Sequence, residues 1–365
     1  MLLLSFLVSG CSETGSAEGK APPSNVKSDE RVVFFPTYGR YDVDSKTWTF
    51  EVHGHIFEPE NNSKKRAAFV TIIRAAAAAV DKGADESKFL DERVRPFLVD
   101  NERGKIVAVD LAGGSYAVGR SEANGHFSNT FSLSASDVDV KGIDGGELKF
   151  AAVLEKRDTR RFAGRVQLIA PEGLSVISDI DDTIKQSAVT DKSELIKNTF
   201  VREFQVVDGM SELYESLQSS GAVFHYVSGS PWQLYEPLNK FFTKAGFPDG
   251  SFHLKNFRFT DSSALGLMKS QKKNKLAAIQ PMLRAFPKRR FLLFGDSGEQ
   301  DPEIYGQLAR EHEQVAGIFI RNASDENAGD ERFENAFADV PRERWTVFDE
   351  PNEIEAKLKQ LVDGQ

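Results

Sequence analysis

The sequence holds one cysteine, Cys11, in 365 residues, so no disulfide can close within the chain. Positive charge is in deficit. Lys and Arg number 46 against 55 Asp and Glu, for a net charge of -9. A chain without a basic excess has no general grip on a phosphate backbone, which argues against nucleic acid as the main partner. A small anionic substrate is still open, because a metal ion or a few cationic side chains bind one locally. Long apolar runs are also missing: beyond the first eight residues nothing approaches the ~20 apolar residues of a membrane-spanning helix. What is present suits a folded protein, with 40% apolar and 28% charged residues. The length allows two domains.

The lone cysteine has an informative address. Met1-Leu2-Leu3-Leu4-Ser5-Phe6-Leu7-Val8 is a short apolar run that ends in Ser9-Gly10-Cys11. Such a run reads as a secretion signal rather than a membrane span. Val8-Ser9-Gly10-Cys11 resembles the bacterial lipobox, which is cleaved before a cysteine that then carries lipid. No Lys or Arg precedes the run, a departure from the usual positive start. Residues 12–30 are rich in Ser, Gly, Pro and charge, as a flexible tether is. The expectation is a signal over 1–11, a lipidated Cys11, a tether over 12–30, and a cell-envelope location. Ser12 then favours the outer membrane if the cell is Gram-negative. Simple secretion, to the periplasm or beyond, is the alternative.

Residues 31–170 read as β-rich. Runs at 31–35, 48–57, 94–99, 105–111, 115–120, 126–133 and 148–154 carry strand composition, and Gly113-Gly114, Asn124-Gly125 and Gly145-Gly146 punctuate them. Helical spacing interrupts this at 63–80 and 86–94, the second stopping before Pro96. The pattern predicts a sandwich-like β domain with a helical insertion. His53 and His55 share one side of a strand. No third ligand is evident, so a polar strand face accounts for them better than a metal does.

Near Pro171 the pattern changes to alternating strands and helices, which predicts a parallel sheet in an α/β domain over 171–365. Leu174-Ser175-Val176-Ile177-Ser178 ends in Asp179-Ile180-Asp181-Asp182-Thr183. A strand buried on both faces cannot hold free carboxylates, so these acids sit where the strand emerges. Ligands bind at that end of open α/β sheets. A second apolar run, 222–227, leads into Ser228-Gly229-Ser230, whose hydroxyls and free amides suit phosphate oxygens. A third, 290–294, leads into Gly295-Asp296-Ser297-Gly298-Glu299-Gln300-Asp301, where Asp296 and Asp301 can complete an oxygen cage for a small hard cation. Lys269, Lys272, Lys273 and Lys275 precede it, and one ammonium among them can reach the same mouth. Together these elements fit phosphoryl transfer through a carboxylate nucleophile, with Mg²⁺ offsetting repulsion between anions and a second carboxylate moving the proton.

D-x-D-x-T, a strand-end Ser, a Lys and G-D-x-x-x-x-D in this order resemble the haloacid-dehalogenase phosphatase superfamily. Ser178 to Ile184, Tyr226 to Gln233, Phe247 to Leu254 and Gly295 to Tyr305 look like the catalytic domain of the actin-patch-protein type of phosphatidate phosphatase. The resemblance covers residues 171–321 and implies a haloacid-dehalogenase-like Rossmannoid sheet. It implies Asp179 as nucleophile and Mg²⁺ ligand. Asp181 would be the acid/base and would lend a backbone carbonyl to the metal. Thr183 would orient Asp181 or the phosphate, and Ser228 would bind the phosphoryl group. Asp296 would ligate Mg²⁺, with Asp301 supporting it directly or through water. Lys275 fits the lysine position best, with Lys272 and Lys273 as alternatives. The expected reaction is hydrolysis of a phosphomonoester, phosphatidate or a related lipid phosphate, through an aspartyl-phosphate. A phosphatase of soluble metabolites and a non-catalytic envelope binding protein are the alternatives. Residues 185–207 are long enough for a cap over the mouth, with Phe200, Val201 and Phe204 facing an acyl chain, but ordinary helix packing accounts better for their spacing.

Overall fold

The computed structural model describes residues 21–59, 64–138, 146–256, 272–324 and 330–363. Cys11, Lys269 and residues 12–20 of the expected tether lie outside the described residues. No helix among the described residues is long and apolar enough to cross a membrane.

The first part is built on β3 (Thr47–Glu58), whose sequence alternates with the period of a pleat. Trp48, Phe50, Val52 and Ile56 point into the core, while Thr49, Glu51, His53 and His55 take the other face. One edge of β3 pairs with β2 (Thr37–Asp42) and then with β1 (Arg31–Phe35). The other pairs with β7 (His126–Ser134) along Thr47 to His55, and beyond that with the two-residue β4 (Asp100–Asn101). From β2 the sheet continues through β9 (Ala163–Ile169), β8 (Gly146–Ala152), β5 (Ile106–Leu111) and β6 (Gly114–Arg120). The outcome differs from a two-sheet sandwich. All nine strands belong to one sheet, because β3 is twelve residues long and joins strands that a sandwich would divide. Gly54 permits the close packing at its centre: a Cβ there would lie 2.5 Å from the Phe127 ring.

Two helices, α1 (Lys64–Val80) and α2 (Lys88–Val94), interrupt this sheet. The strand expected at 94–99 does not form. Arg95–Phe97 make a 3-10 turn that continues α2, with Pro96 at its start. Proline has no N–H to give a ladder, and its fixed φ suits the first turn of a helix.

The second part is a six-stranded parallel sheet ordered β12-β11-β10-β13-β14-β15. Its strands are β10 (Glu172–Ser178), β11 (Val223–Pro231), β12 (Gly250–Lys255), β13 (Lys288–Asp296), β14 (Val315–Arg321) and β15 (Trp345–Phe348). The chain first builds outward on one side of β10, then crosses to the other, so β10 and β13 flank the switch point where open α/β sheets bind ligands. β12 and β15 are edge strands that the apolar runs do not announce. The remaining helices are α3 (Lys192–Ile196), α4 (Met210–Ser219), α5 (Tyr235–Ala245), α6 (Lys272–Ala285), α7 (Asp301–Glu311), α8 (Glu331–Ala336) and α9 (Glu355–Asp363).

The chain passes from one sheet to the other between Ile169 and Glu172. Fully buried Arg289 fastens this crossing. It donates to the carbonyls of Ala170 at 2.8 Å, Leu174 at 2.5 Å and Glu172, and to Ser175 Oγ at 2.9 Å. The two parts also share apolar packing. Phe35 of β1, 3% exposed, packs its ring 4.1 Å from that of Trp232, which follows β11. α2 reaches across as well. Buried Arg93 donates to the carbonyls of Thr199 and Arg202 and lies 3.6 Å over the Phe204 ring. Phe200 and Val201 are buried beneath it, so this stretch packs as core.

His53, His55 and His126 meet on the face of β3 that looks toward Trp232. His53 Nε2 lies 3.0 Å from His126 Nδ1, a bond in which one ring must offer a bare nitrogen. Burial, then the neighbouring imidazoles, holds His53 down to about 3 and His126 down to about 2. The unfolded rings titrate near ~6.5. Below that pH the unfolded chain takes up protons that the folded one refuses, so stability falls as pH drops from about 6.5 toward about 3. Thermal melts should therefore show lower stability at pH 5 than at pH 7, by on the order of 2 kcal/mol per histidine. His126→Gln should flatten this slope; an unchanged slope would contradict the assignment.

Candidate active site

β10 ends in five consecutive buried residues, Leu174 to Ser178. The parallel ladder runs one residue further, because Asp179 N donates to Phe294 O at 2.9 Å. This delivers Asp179, 1% exposed, to the carboxyl end of the sheet beside β13. The chain then turns back sharply. Asp182 sits at φ 55° and its N–H donates to Lys185 O at 2.7 Å. Its carboxylate accepts from the amides of Ser187 at 2.7 Å, Ala188 at 2.8 Å and Val189 at 2.6 Å. Asp182 thus builds the turn that holds the other two acids.

The two flanking aspartates have separate partners. Lys275 of α6 places Nζ 2.7 Å from Asp179 Oδ1, 2.5 Å from Asp301 Oδ1 and 3.1 Å from Glu299 Oε2. Lys275 is 2% exposed, whereas Lys272 is half-buried and Lys273 exposed, so Lys275 is the lysine of this site. Burial alone would push its pKa down; Asp179, Asp301 and Glu299 outweigh that and raise it well above the usual lysine value. Thr183 Oγ1 lies 3.4 Å from Asp179 Oδ2, so the threonine orients Asp179.

Asp181 faces a different set. Oδ1 takes Lys185 Nζ at 2.8 Å and Ser187 Oγ at 2.7 Å. Oδ2 accepts from Ser228 Oγ at 3.0 Å and Ser230 Oγ at 3.1 Å. Burial would raise this carboxyl; Lys185 and the hydroxyl donors outweigh it and hold the pKa down to about 2. Ser228 and Ser230 come from the end of β11, and both hold Asp181.

The loop after β13 supplies the third group. Asp296 Oδ1 accepts from Gly298 N at 2.7 Å and Glu299 N at 3.1 Å, while buried Oδ2 has no hydrogen-bond partner among the described residues. Burial, then Asp301 and Asp179, raises the Asp296 pKa well above the usual carboxylate range; burial likewise raises Asp179 against the pull of Lys275. Asp179, Asp296 and Glu299 each bring one oxygen within 4.8 Å of the others. Crowded carboxylates with an unpartnered oxygen fit a small hard cation. Asp301, expected beside the metal, turns instead to Lys275 and to the Asp296 amide, at 3.3 Å. Gly295 makes room for it: a Cβ there would lie 2.5 Å from Asp301 Oδ2.

Glu299 and Lys185 were missed from sequence. Glu299 had a signal, an acid between two named acids in one loop. Lys185 had a weaker one, a cation four residues after Asp181. The strand-end elements otherwise converge as their order suggested. His53 and His55 stay far from this cluster in role, bonded to His126 and to Asn101 Oδ1 at 3.0 Å each.

Residues 174–322 match the protein family described as phosphatidate phosphatase APP1, catalytic domain. Phosphatidate phosphatase APP1 of Saccharomyces cerevisiae is 37% identical over 191 residues, which are 51% of this chain and 30% of the yeast protein. An uncharacterised protein of Schizosaccharomyces pombe is 31% identical over 180 residues, 48% of this chain and 29% of its own length. The chain thus spans less than a third of either relative. Among solved structures, a proposed beta-phosphoglucomutase from Thermotoga maritima overlaps 51% of this chain and 99% of its own, at 13% identity and a TM-score of 0.31. The matched segment contains every residue of the buried cluster, Asp179, Asp181, Lys185, Ser228, Lys275, Asp296, Glu299 and Asp301. Residues 174–322 of this chain are thus similar to the catalytic domain of phosphatidate phosphatase APP1.

Proposed function

We propose that this chain is a Mg²⁺-dependent phosphatase of haloacid-dehalogenase-like fold that hydrolyses a phosphomonoester, phosphatidate or a related lipid phosphate. One observation carries the reading: two buried aspartates two residues apart have separate partners, Lys275 for Asp179 and the Lys185–Ser187–Ser228–Ser230 set for Asp181. Asp179 attacks phosphorus, the bond to the leaving oxygen breaks, and an aspartyl-phosphate forms on Asp179. Lys275 offsets charge on the nucleophile and the phosphoryl group. When Ser228 and Ser230 leave it for the phosphoryl oxygens, Asp181 loses two of the donors that keep it ionised, so it can carry a proton to the leaving alkoxide in the first step and take one from water in the second. Ser228 and Ser230 turn toward the phosphoryl oxygens when these arrive. Asp179, Asp296 and Glu299, with the Asp181 carbonyl, would hold Mg²⁺, which would supply the charge that lets one anion approach another.

The lipid substrate class rests on the yeast relative, which is named a phosphatidate phosphatase. We further propose residues 31–170 and 171–365 as the two domains, and a lipid anchor at Cys11 after removal of the residues before it. Two or more acyl chains retain a protein at a bilayer far better than one, which keeps the enzyme beside its substrate in the cell envelope.

Phosphate release from phosphatidate vesicles should require Mg²⁺, stop with EDTA, and fall by about 10⁴-fold in Asp179→Asn. Equal release by that variant sinks the mechanism, and release from soluble esters alone sinks the lipid assignment. Mg²⁺ should raise the melting temperature of the wild type, with a stabilisation of about 2.7 kcal/mol at a hundredfold excess over Kd. Asp296→Asn should lose that shift, and a retained shift places the metal elsewhere. Radiolabelled palmitate fed to expressing cells should mark the protein, and Cys11→Ala should abolish the label.

A further inference from the structure

A cavity of about 1060 Å³ opens between β1, β3, α2 and the segment Trp232 to Glu236 that follows β11. Pockets that hold small molecules run to about 1000 Å³, so this one has room for a ligand with a chain. Its inner wall is aromatic. Phe35 lies 4.1 Å from Trp232 and 5.1 Å from Tyr235, and His55 stacks on Phe57 at 5.0 Å. Rings of this kind offer large apolar area at fixed positions.

Its charge is net positive once the acids paired with cations outside it are set aside. Arg31, Lys88, Arg95 and Arg161 line the cavity and are exposed. Among the described residues none of these four pairs with a carboxylate. Two of the three acids on the same wall are already neutralised from outside it: Asp91 by Arg74, and Glu92 by Lys240 at 2.5 Å. Glu236 is the third. An apolar wall edged by an excess of cations complements a chain that ends in an anion.

We propose that this cavity binds a single-chain anionic amphiphile, an alkyl carboxylate or alkyl phosphate. The chain lies along Phe35, Phe57 and Trp232, and the head group meets the cations at the edge. Trp232 follows Ser230 by two residues, and Ser230 Oγ is bonded to Asp181 at 3.1 Å. An occupant therefore rests against the strand end whose serines hold Asp181. The site stands on its own geometry, and binding is read with EDTA present, which stops phosphomonoester turnover, so it and the phosphatase reading fail separately.

Trp232 is a built-in reporter, since Trp48 and Trp345 sit in other apolar clusters. The full chain is titrated, below the micelle concentration, with bromododecanoate and with bromododecyl phosphate, whose bromine quenches a tryptophan in contact. Saturable quenching is expected with at least one head group, and the tighter one identifies the source. Trp232→Phe should abolish it, while Trp48→Phe should keep it. Arg31→Glu with Arg95→Glu, both at exposed positions, should weaken binding at least tenfold. Absence of saturable quenching overturns the proposal. So does unchanged quenching in Trp232→Phe, unchanged affinity in the charge-reversed variant, or equal affinity for uncharged bromododecanol.

Discussion

One buried ammonium holds the site together. Lys275 stands among Asp179, Glu299 and Asp301 with almost no access to water. An isolated charge there would cost several kcal/mol, and three carboxylates without a cation would cost more. Each makes the other tolerable. Removing the lysine would leave carboxylates that must take up protons or a metal to stay buried. The same arithmetic explains why Asp296, which the lysine does not touch, is pushed toward its protonated form.

The second aspartate solves the same problem differently. Asp181 lies in the same buried floor, yet Lys185 and three serine hydroxyls satisfy it, and its pKa goes down where that of Asp179 goes up. Two residues along one strand end therefore carry opposite electrostatic settings. The difference comes from the turn after them. Asp182 gathers three amides of the returning chain, and this brings Lys185 and Ser187 back onto Asp181. A backbone at φ 55° is tolerated by aspartate better than by most residues.

Strand ends were the most legible feature of the sequence. Buried runs stopping at Asp179, Ser228 and Asp296 named their neighbours, because a parallel sheet puts all its carboxyl ends on one edge. Side-chain choice within a loop was less legible. Asp301 and Glu299 are two residues apart and both reach Lys275, and which of them also stands beside Asp179 and Asp296 depends on a helix start and a glycine contact that no spacing rule contains. Asp182 stands in the same run, but its task as an amide acceptor needs the turn to be seen. The single curled sheet escaped notice for a related reason. Strand composition says that β3 pairs, and only its length and both registers say that it joins everything. At 94–99, Pro96 was credited with ending a helix when it begins a further turn of one.

Arg93 belongs to the helices inserted in the first sheet, yet its guanidinium closes off the carbonyls of Thr199 and Arg202. That stretch leads to Val206, which bridges to Lys185. The segment shared with the fungal proteins therefore does not finish its own active-site loop: a residue about a hundred positions upstream does so. Excised at residue 171, the catalytic sheet would keep its strands and all its acids, but it would lose the strut under the loop that carries Lys185. Homology marks where the chemistry is written; the smallest piece able to perform it is larger.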